Sequence, residues 1–506
     1  MSIPSECDVL IVGGGPAGSY TAAVLALEGV DTVVLEAEKF PRYHIGESLL
    51  PSVRYFMDFI DLYDTFNNYG FLRKNGATFK FNSRLPGYTN FVAAGGAGNH
   101  AWNVLRSEAD NIMFRHAETC GAKVFDGVKV GSIQFEEKAS SGQDFQLGRP
   151  VHATWTQDGG GSGEFRFRYL VDASGRAGII STKHMQNRQY NTGLKGMATW
   201  GYWEGAGTYG PGIGDPFSEA LNDGSGWAWF IPLHDGTVSV GVTVKQDRIA
   251  QKKKNCESTS SLDFYLKCLK ETPGIAGLLE EATLKSDIRC TSDWSYGATQ
   301  YASPYLRIVG DAGCFIDPLF SSGIHLAMAS GLSAAATICA SMRGDCTEEE
   351  AALWHTRKIA EGYTRFLLVV SSSMKQIHGR EQNLLNDLDE PGMDRAFEHF
   401  KPIIQGTVDT GGKMTKSDLQ KSIEFCTAVI EKVEGGCFKD RVLSDDKPGA
   451  ERGAAADVEE DKQCDETLMK LVRMNRVLDI DNFKVDVVNG MAPNVKRGSL
   501  GLVRVD

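Results

Sequence analysis

The sequence is short of the features that assign a protein to a class at a glance. Its 11 cysteines are scattered and odd in number, with no C-x-x-C pair. That fits reduced thiols in a cytoplasmic protein with no bound metal better than a zinc site or a disulfide framework. There is no run of about 18 apolar residues, so no membrane span is expected. The first eight residues lack a basic region and a long apolar run, so no secretory signal is expected. Positive charge is scarce as well: 53 Lys and Arg face 65 Asp and Glu, a net −12. General nucleic-acid binding needs clustered Lys and Arg and is not expected. Repeats are absent. What remains is ordinary globular composition, 42% hydrophobic and 23% charged over 506 residues, with length for roughly three domains.

Residues 8–12 form a short β-branched run that ends on Gly13-Gly14-Gly15-Pro16-Ala17-Gly18, with an alanine-rich helical stretch to about Glu28. Gly13, Gly15 and Gly18 spell G-x-G-x-x-G between a strand and a helix, the context in which that spacing lets backbone approach a pyrophosphate. A second strand over 32–35 ends on Glu36, placed to accept a ribose 2′-OH. NAD and FAD both fit this much. Later, 170–176 read as a strand ending in Asp-x-x-Gly-Arg, with Asp172 at its tip. Residues 306–309 read as a strand leading to Gly310-Asp311, then Pro318-Leu319-Phe320-Ser321-Ser322-Gly323 and an apolar segment over 324–340. A Gly-Asp step can lay a carboxylate against a sugar-alcohol chain, and a turn opening a helix offers N–H groups to a small anion. Taken alone, the stretch is an ordinary glycine corner.

Strands over 195–203, 227–232 and 238–244 are expected to build an antiparallel sheet on the substrate side. Loops at 139–144 and 158–163 read as exposed hairpin turns. Residues 205–216, rich in Gly and Pro, read only as a loop. Helical spacing follows over 348–370, 392–405 and 416–433. The acidic stretch 444–466 has the composition of a mobile loop.

The Rossmann turn, the Asp-x-x-Gly-Arg element and the late Gly-Asp, in that order, resemble the flavoprotein aromatic-hydroxylase superfamily. In it, one FAD is held by segments scattered through a discontinuous domain. Arg106, before a helix over 107–120, resembles that superfamily's flavin-contacting arginine. Arg42-Tyr43-His44-Ile45-Gly46-Glu47-Ser48-Leu49-Leu50-Pro51 and Gly226-Trp227-Ala228-Trp229-Phe230-Ile231-Pro232 narrow the resemblance to flavin-dependent halogenases. The second matches their tryptophan-x-tryptophan-x-isoleucine-proline motif. Phe315, Pro318, Ser321 and Gly323 match another element of theirs, where related hydroxylases carry Gly-Gln-Gly. Segments 365–376 and 402–406 resemble the fungal branch acting on free phenolic polyketides or macrolactones.

The resemblance implies an α/β fold: a discontinuous Rossmann-type FAD-binding domain over 1–75, 100–180 and 290–345, an antiparallel substrate-side sheet over 76–99 and 181–289, and a helical C-terminal region over 346–506. It implies FAD contacts at Gly13, Gly15, Ala17, Gly18, Glu36, Ala37, Ser48, Arg106, Asp172, Asp311, Gly323 and Ile324. A halide, chloride or bromide, is implied at Ser322 and Gly323. Phe320, Ser321, Trp227 and Trp229 are implied as substrate-pocket residues. Reduced FAD and O2 would form a flavin hydroperoxide whose attack by halide yields hypohalous acid. The implied catalytic residue is Lys74, in Lys74-Asn75-Gly76-Ala77. It would either hydrogen-bond hypohalous acid or carry the halogen as a chloramine; the sequence leaves both open. Tryptophan-type members carry a glutamate where Phe320 stands, so a phenolic substrate is expected. No second nucleotide fingerprint is present, so a separate flavin reductase is the expected electron source. The competing reading is an aromatic hydroxylase of the same fold.

Overall fold

In the computed structural model, residues 2–82, 85–137, 145, 147–254, 260–379, 400, 403–406, 420–426, 429–430, 465, 467–468, 470–471 and 487–505 are described. The strand Glu6–Val12 is the centre of the first sheet, with Val9, Leu10 and Ile11 fully buried. Continuous apolar runs of this kind suit a parallel strand covered on both faces. It pairs in parallel with Ser162–Asp172 on one side and Thr32–Glu36 on the other. Leu306–Ile308 and Lys123–Asp126 extend the parallel set at either end. The register sets Val12 beside both Asp172 and Leu35, and Asp172 beside Ile308. The carboxyl ends of four strands are therefore level, which gathers Gly13, Glu36, Ala173 and Gly310 along one edge, where α/β sheets place ligands.

The helix Pro16–Leu27 begins with Pro at its first position and is nearly all buried, an arrangement that wastes no N–H and fixes the entry angle. It packs with Arg106–Thr119 and Gly323–Arg343. By length and mean hydropathy of 1.4 alone, Gly323–Arg343 is long and apolar enough to cross a membrane, although it holds no unbroken apolar run of that length. It is a core helix, with 83% of its most apolar 18-residue window buried, faced with Ala, Gly and Ser that let neighbouring helices approach. Glu348–His378 follows from a Thr347/Glu350 capping box and runs beyond the expected end at 370.

The second sheet contains Arg188–Glu204, Thr237–Lys245, Gly226–Pro232, Phe217–Ala220, Gly76–Lys80 and Gly87–Asn90 in that spatial order. Phe217–Ala220 runs parallel to Gly76–Lys80, while the other neighbours are antiparallel. Period-two alternation divides Gly226–Pro232 between two cores: Trp227 and Trp229 face Phe79 and Phe320, and Ala228 and Phe230 face Phe264 and Tyr265. Arg289–Ala298 pairs with Arg188–Glu204, so the nucleotide-side boundary expected at 290 moves past 298. The helical patterns over 392–405 and 416–433, the acidic stretch 444–466 and the loop 139–144 lie wholly or mostly outside the described residues.

Candidate active site

One cavity of about 550 Å³ runs from the glycine turn after Val12 to Lys74 in the second sheet's approach. That volume suits a cofactor end and one small molecule. Its lining includes Gly13, Gly15, Ala17, Glu36, Ala37, Ser48, Lys74, Arg106, Trp227, Trp229, Asp311, Phe320, Ser321, Gly323 and Ile324. Among the expected site residues, Gly18, Asp172 and Ser322 do not line it.

The glycine turn is shaped by contacts that no side chain would survive. Gly13 has φ +106°, and a Cβ there would stand 2.2 Å from the Ala173 carbonyl oxygen. A Cβ on Gly18 would meet the Gly13 oxygen at 1.9 Å, so Gly18 closes the turn against the helix instead of touching a ligand. Gly15 differs: its Cβ would meet only Arg42 Nη2, at 3.4 Å, leaving backbone open to the cavity. The Gly14 N–H donates to Glu36 Oε2 at 2.6 Å and the Glu38 N–H to Oε1 at 2.9 Å. Glu36 is thereby fixed at the strand end.

Asp172 requires a correction. Its carboxylate accepts from the Ser174 N–H and hydroxyl and from the Ile180 N–H. It builds the turn, and Ala173 to Ala177 reach the cavity in its place. Asp311 is the reverse case. Among the described residues no hydrogen bond reaches its carboxylate, and burial pushes its acid up to about 6 against the pull of Arg106, Arg176 and Arg188. A half-buried carboxylate that no described residue bonds, beside a glycine cradle, fits a polyhydroxylated dinucleotide such as FAD. Arg106 is held by Asp110 at 2.8 and 2.9 Å and donates to the Ile45 carbonyl at 2.8 Å, so it is locked where Gly46 passes.

Lys74 ends the short strand Leu72–Lys74, which pairs with Ala101–Asn103. It is 2% exposed. Its Nζ donates to Ser48 Oγ at 2.9 Å and to the Leu49 carbonyl at 3.0 Å, and lies 5.2 Å from the Phe91 ring centroid. Burial lowers its pKa to about 7, with Asp215 opposing the shift. Ser48, expected on the cofactor, thus holds the lysine while still lining the cavity.

Between these ends lies the corner 310–323. Asp317 Oδ1 accepts from the Leu319 N–H, Ser321 takes the left-handed conformation, and Gly323 opens a 21-residue helix. A Cβ at Gly323 would meet nothing within 4 Å, and the helix's first N–H groups have no intrahelical partner. Ser322 is buried away from the lining, so an anion here would rely on backbone at Gly323 instead of the Ser322 side chain. Phe320 packs on Phe79, Phe81 and Phe400, with centroids 5.3, 6.3 and 6.3 Å away. Trp227 and Trp229 stand side by side on one strand face, 5.8 Å apart.

Sequence reasoning missed three polar groups. Glu47, inside a quoted motif but given no role, is buried, accepts from the Tyr202 hydroxyl, and is raised to about 7 by burial. Tyr202 carried no signal at all. Asp215 sits in the loop 205–216 and grips the backbone after Lys74. Thr89, Phe91 and Ile404 also line the cavity, Phe91 beside the lysine.

Comparison with known proteins accords with this geometry. The family described as the FAD binding domain matches residues 6–357. The flavin-dependent halogenase ascD of Acremonium egyptiacum is 50% identical, over 99% of this chain and 93% of its own length. Sulochrin halogenase gedL of Aspergillus terreus is also 50% identical, over 100% of this chain and 95% of its own. Among solved structures, the myxobacterial chondrochloren halogenase CndH is 27% identical with a TM-score of 0.67, over 84% of this chain and 98% of its own.

Proposed function

Since the chain belongs to the flavin-dependent halogenases, we propose that it chlorinates an electron-rich phenolic small molecule, with Lys74 as the residue that handles the oxidised halogen. The observation that carries this reading is the buried lysine that lines the same cavity as the dinucleotide turn. Gly13 to Gly15 and Glu36 would hold the adenosine diphosphate part of FAD, and Arg106 and Asp311 its flavin end. Bound in reduced form with O2, the cofactor supplies the oxidising power that turns chloride into hypochlorous acid.

The chain's own residues do the remaining work. Gly323 backbone offers chloride a seat without an acidic side chain to repel it. Phe79, Phe320, Trp227 and Trp229 wall the passage with apolar surface, which excludes water that would dilute the oxidant. Lys74 has two N–H bonds committed to Ser48 and Leu49. In the ammonium form its third N–H is left to hold hypochlorous acid and polarise it toward the ring. A phenol is activated by its own oxygen, so aromatic Phe320 in the corner suits it better than a carboxylate would.

Purified protein supplied with FAD, chloride, a separate flavin reductase and a panel of phenols should give products with the chlorine isotope pattern by mass spectrometry. Removing the reductase while keeping NADPH should stop turnover. Hydroxylated products, or fast NADPH oxidation without the reductase, would instead establish an aromatic hydroxylase. The lysine also sets a pH limb. With its pKa at about 7, the ammonium population falls as pH rises through 7, so the chlorination rate should decline on that side. A rate that climbs through the same range would assign the chemistry to the free amine and its chloramine.

A further inference from the structure

The last residues of the loop 205–216 pack closely against the Lys74 strand. A Cβ on Gly214 would lie 2.1 Å from the Arg73 carbonyl oxygen, and one on Gly212 would lie 2.7 Å from Asp215 Oδ2. Gly214 is therefore required for this approach, since its neighbour is backbone and cannot give way, while a side chain at Gly212 would displace the Asp215 carboxylate. Asn103, paired with Leu72 on the neighbouring strand, donates to the Gly214 carbonyl at 2.8 Å. The Thr78 N–H donates to the Pro216 carbonyl at 2.9 Å. Between these ties stands Asp215, 2% exposed. Its Oδ1 accepts from the N–H groups of Asn75 and Gly76, both at 2.9 Å, and its Oδ2 accepts from the Tyr88 hydroxyl at 2.7 Å.

We infer that Asp215 is a positioning residue for Lys74: its carboxylate fixes the Asn75–Gly76 backbone that aims the lysine and supplies a negative charge that favours the ammonium. The inference rests on the reading of Lys74 given above. Three donors, the Asn75 and Gly76 N–H groups and the Tyr88 hydroxyl, fix the carboxylate in place. That charge opposes the desolvation of Lys74.

The other groups around the amine are neutral or turned elsewhere. Ser48 and the Leu49 carbonyl accept from it, and Phe91 offers a ring face. Tyr88 is bonded to Asp215, Glu47 to Tyr202, and Arg73 points to Asn67. A carboxylate bonded to the residue that follows the lysine strand can thus supply the charge that the resemblance places, in tryptophan-type members, at the position of Phe320.

The test is Asp215→Asn, which keeps an oxygen for the two N–H groups and removes the charge. The Lys74 midpoint, read by NMR of labelled lysine in the full-length protein with Lys74→Arg for assignment, should fall by about one unit. The basic limb of the chlorination pH profile should move with it, with KM for the phenol unchanged. An unmoved midpoint would make Asp215 a purely structural clamp and overturn the inference. A midpoint that falls while the limb stays would leave Asp215's hold on Lys74 intact and remove Lys74 from the chemistry. Should Asp215→Asn fail to fold, Asp215→Glu retains the charge but displaces the clamp. It should keep the midpoint and lose kcat; a normal kcat would overturn the positioning role.

Discussion

Lys74→Met is expected to lose chlorination by roughly 10²–10⁴-fold, the usual range for removing a group that acts on a proton or polarises the reacting atom. FAD should remain bound, because Lys74 is carried by a different sheet from the one that ends in the glycine turn. The variant should also be more stable than the wild type, which separates lost chemistry from lost structure. Lys74 has a folded pKa of about 7 against 10.5 for the free side chain. Below pH 7 both folded and unfolded states carry the proton, and the fold bears the full cost of a buried ammonium. Between about 7 and 10.5 the unfolded state binds more protons, so wild-type stability rises with pH. The advantage of methionine should therefore be greatest below pH 7 and shrink above it, as read by denaturant midpoints across pH. Near-normal chlorination by this variant would remove Lys74 from the mechanism.

Gly18→Ala should be the most damaging small substitution in the nucleotide end. The new Cβ would stand 1.9 Å from a backbone oxygen of Gly13, itself fixed against Ala173. Neither carbonyl can rotate away, so the turn must open. Overpacking of this kind costs about 1–3 kcal/mol, and the opened turn should no longer retain FAD. The protein is expected to purify colourless, with a lowered Tm. Gly277→Ala is the control: in a helix, with nothing within 4 Å of the added methyl, it should leave both properties unchanged. Yellow, fully loaded Gly18→Ala protein would contradict the tight strand–helix closure.

Local signals made the first half of the cavity legible. A strand, a spaced glycine turn and a helix lie within about twenty residues, and Glu36 ends the adjacent strand; each is a short-range pattern with one structural outcome. Asp172 was misassigned because a turn carboxylate that bonds its own backbone has the same local sequence as one that meets a ligand. The hold on Lys74 was invisible for a different reason. Ser48 and Leu49 lie 26 and 25 residues from it, and Asp215 is 140 residues from Asn75. No periodicity links such partners; only the pairing of Phe217–Ala220 with Gly76–Lys80 brings the loop there. The boundary expected at 290 failed similarly, since Arg289–Ala298 is an ordinary strand whose sheet is decided by Arg188–Glu204.

The strand order of the first sheet also governs how the chain can acquire its shape during synthesis. Glu6–Val12 is made first but sits between Thr32–Glu36 and Ser162–Asp172, and the latter in turn awaits Leu306–Ile308. At ~5–20 residues per second, the last of these leaves the ribosome roughly 15–60 s after the first. For that interval an apolar strand with an unpaired edge is exposed to other nascent chains. Yield in a foreign host should therefore depend on chaperone supply and growth temperature more than on the stability of the finished fold.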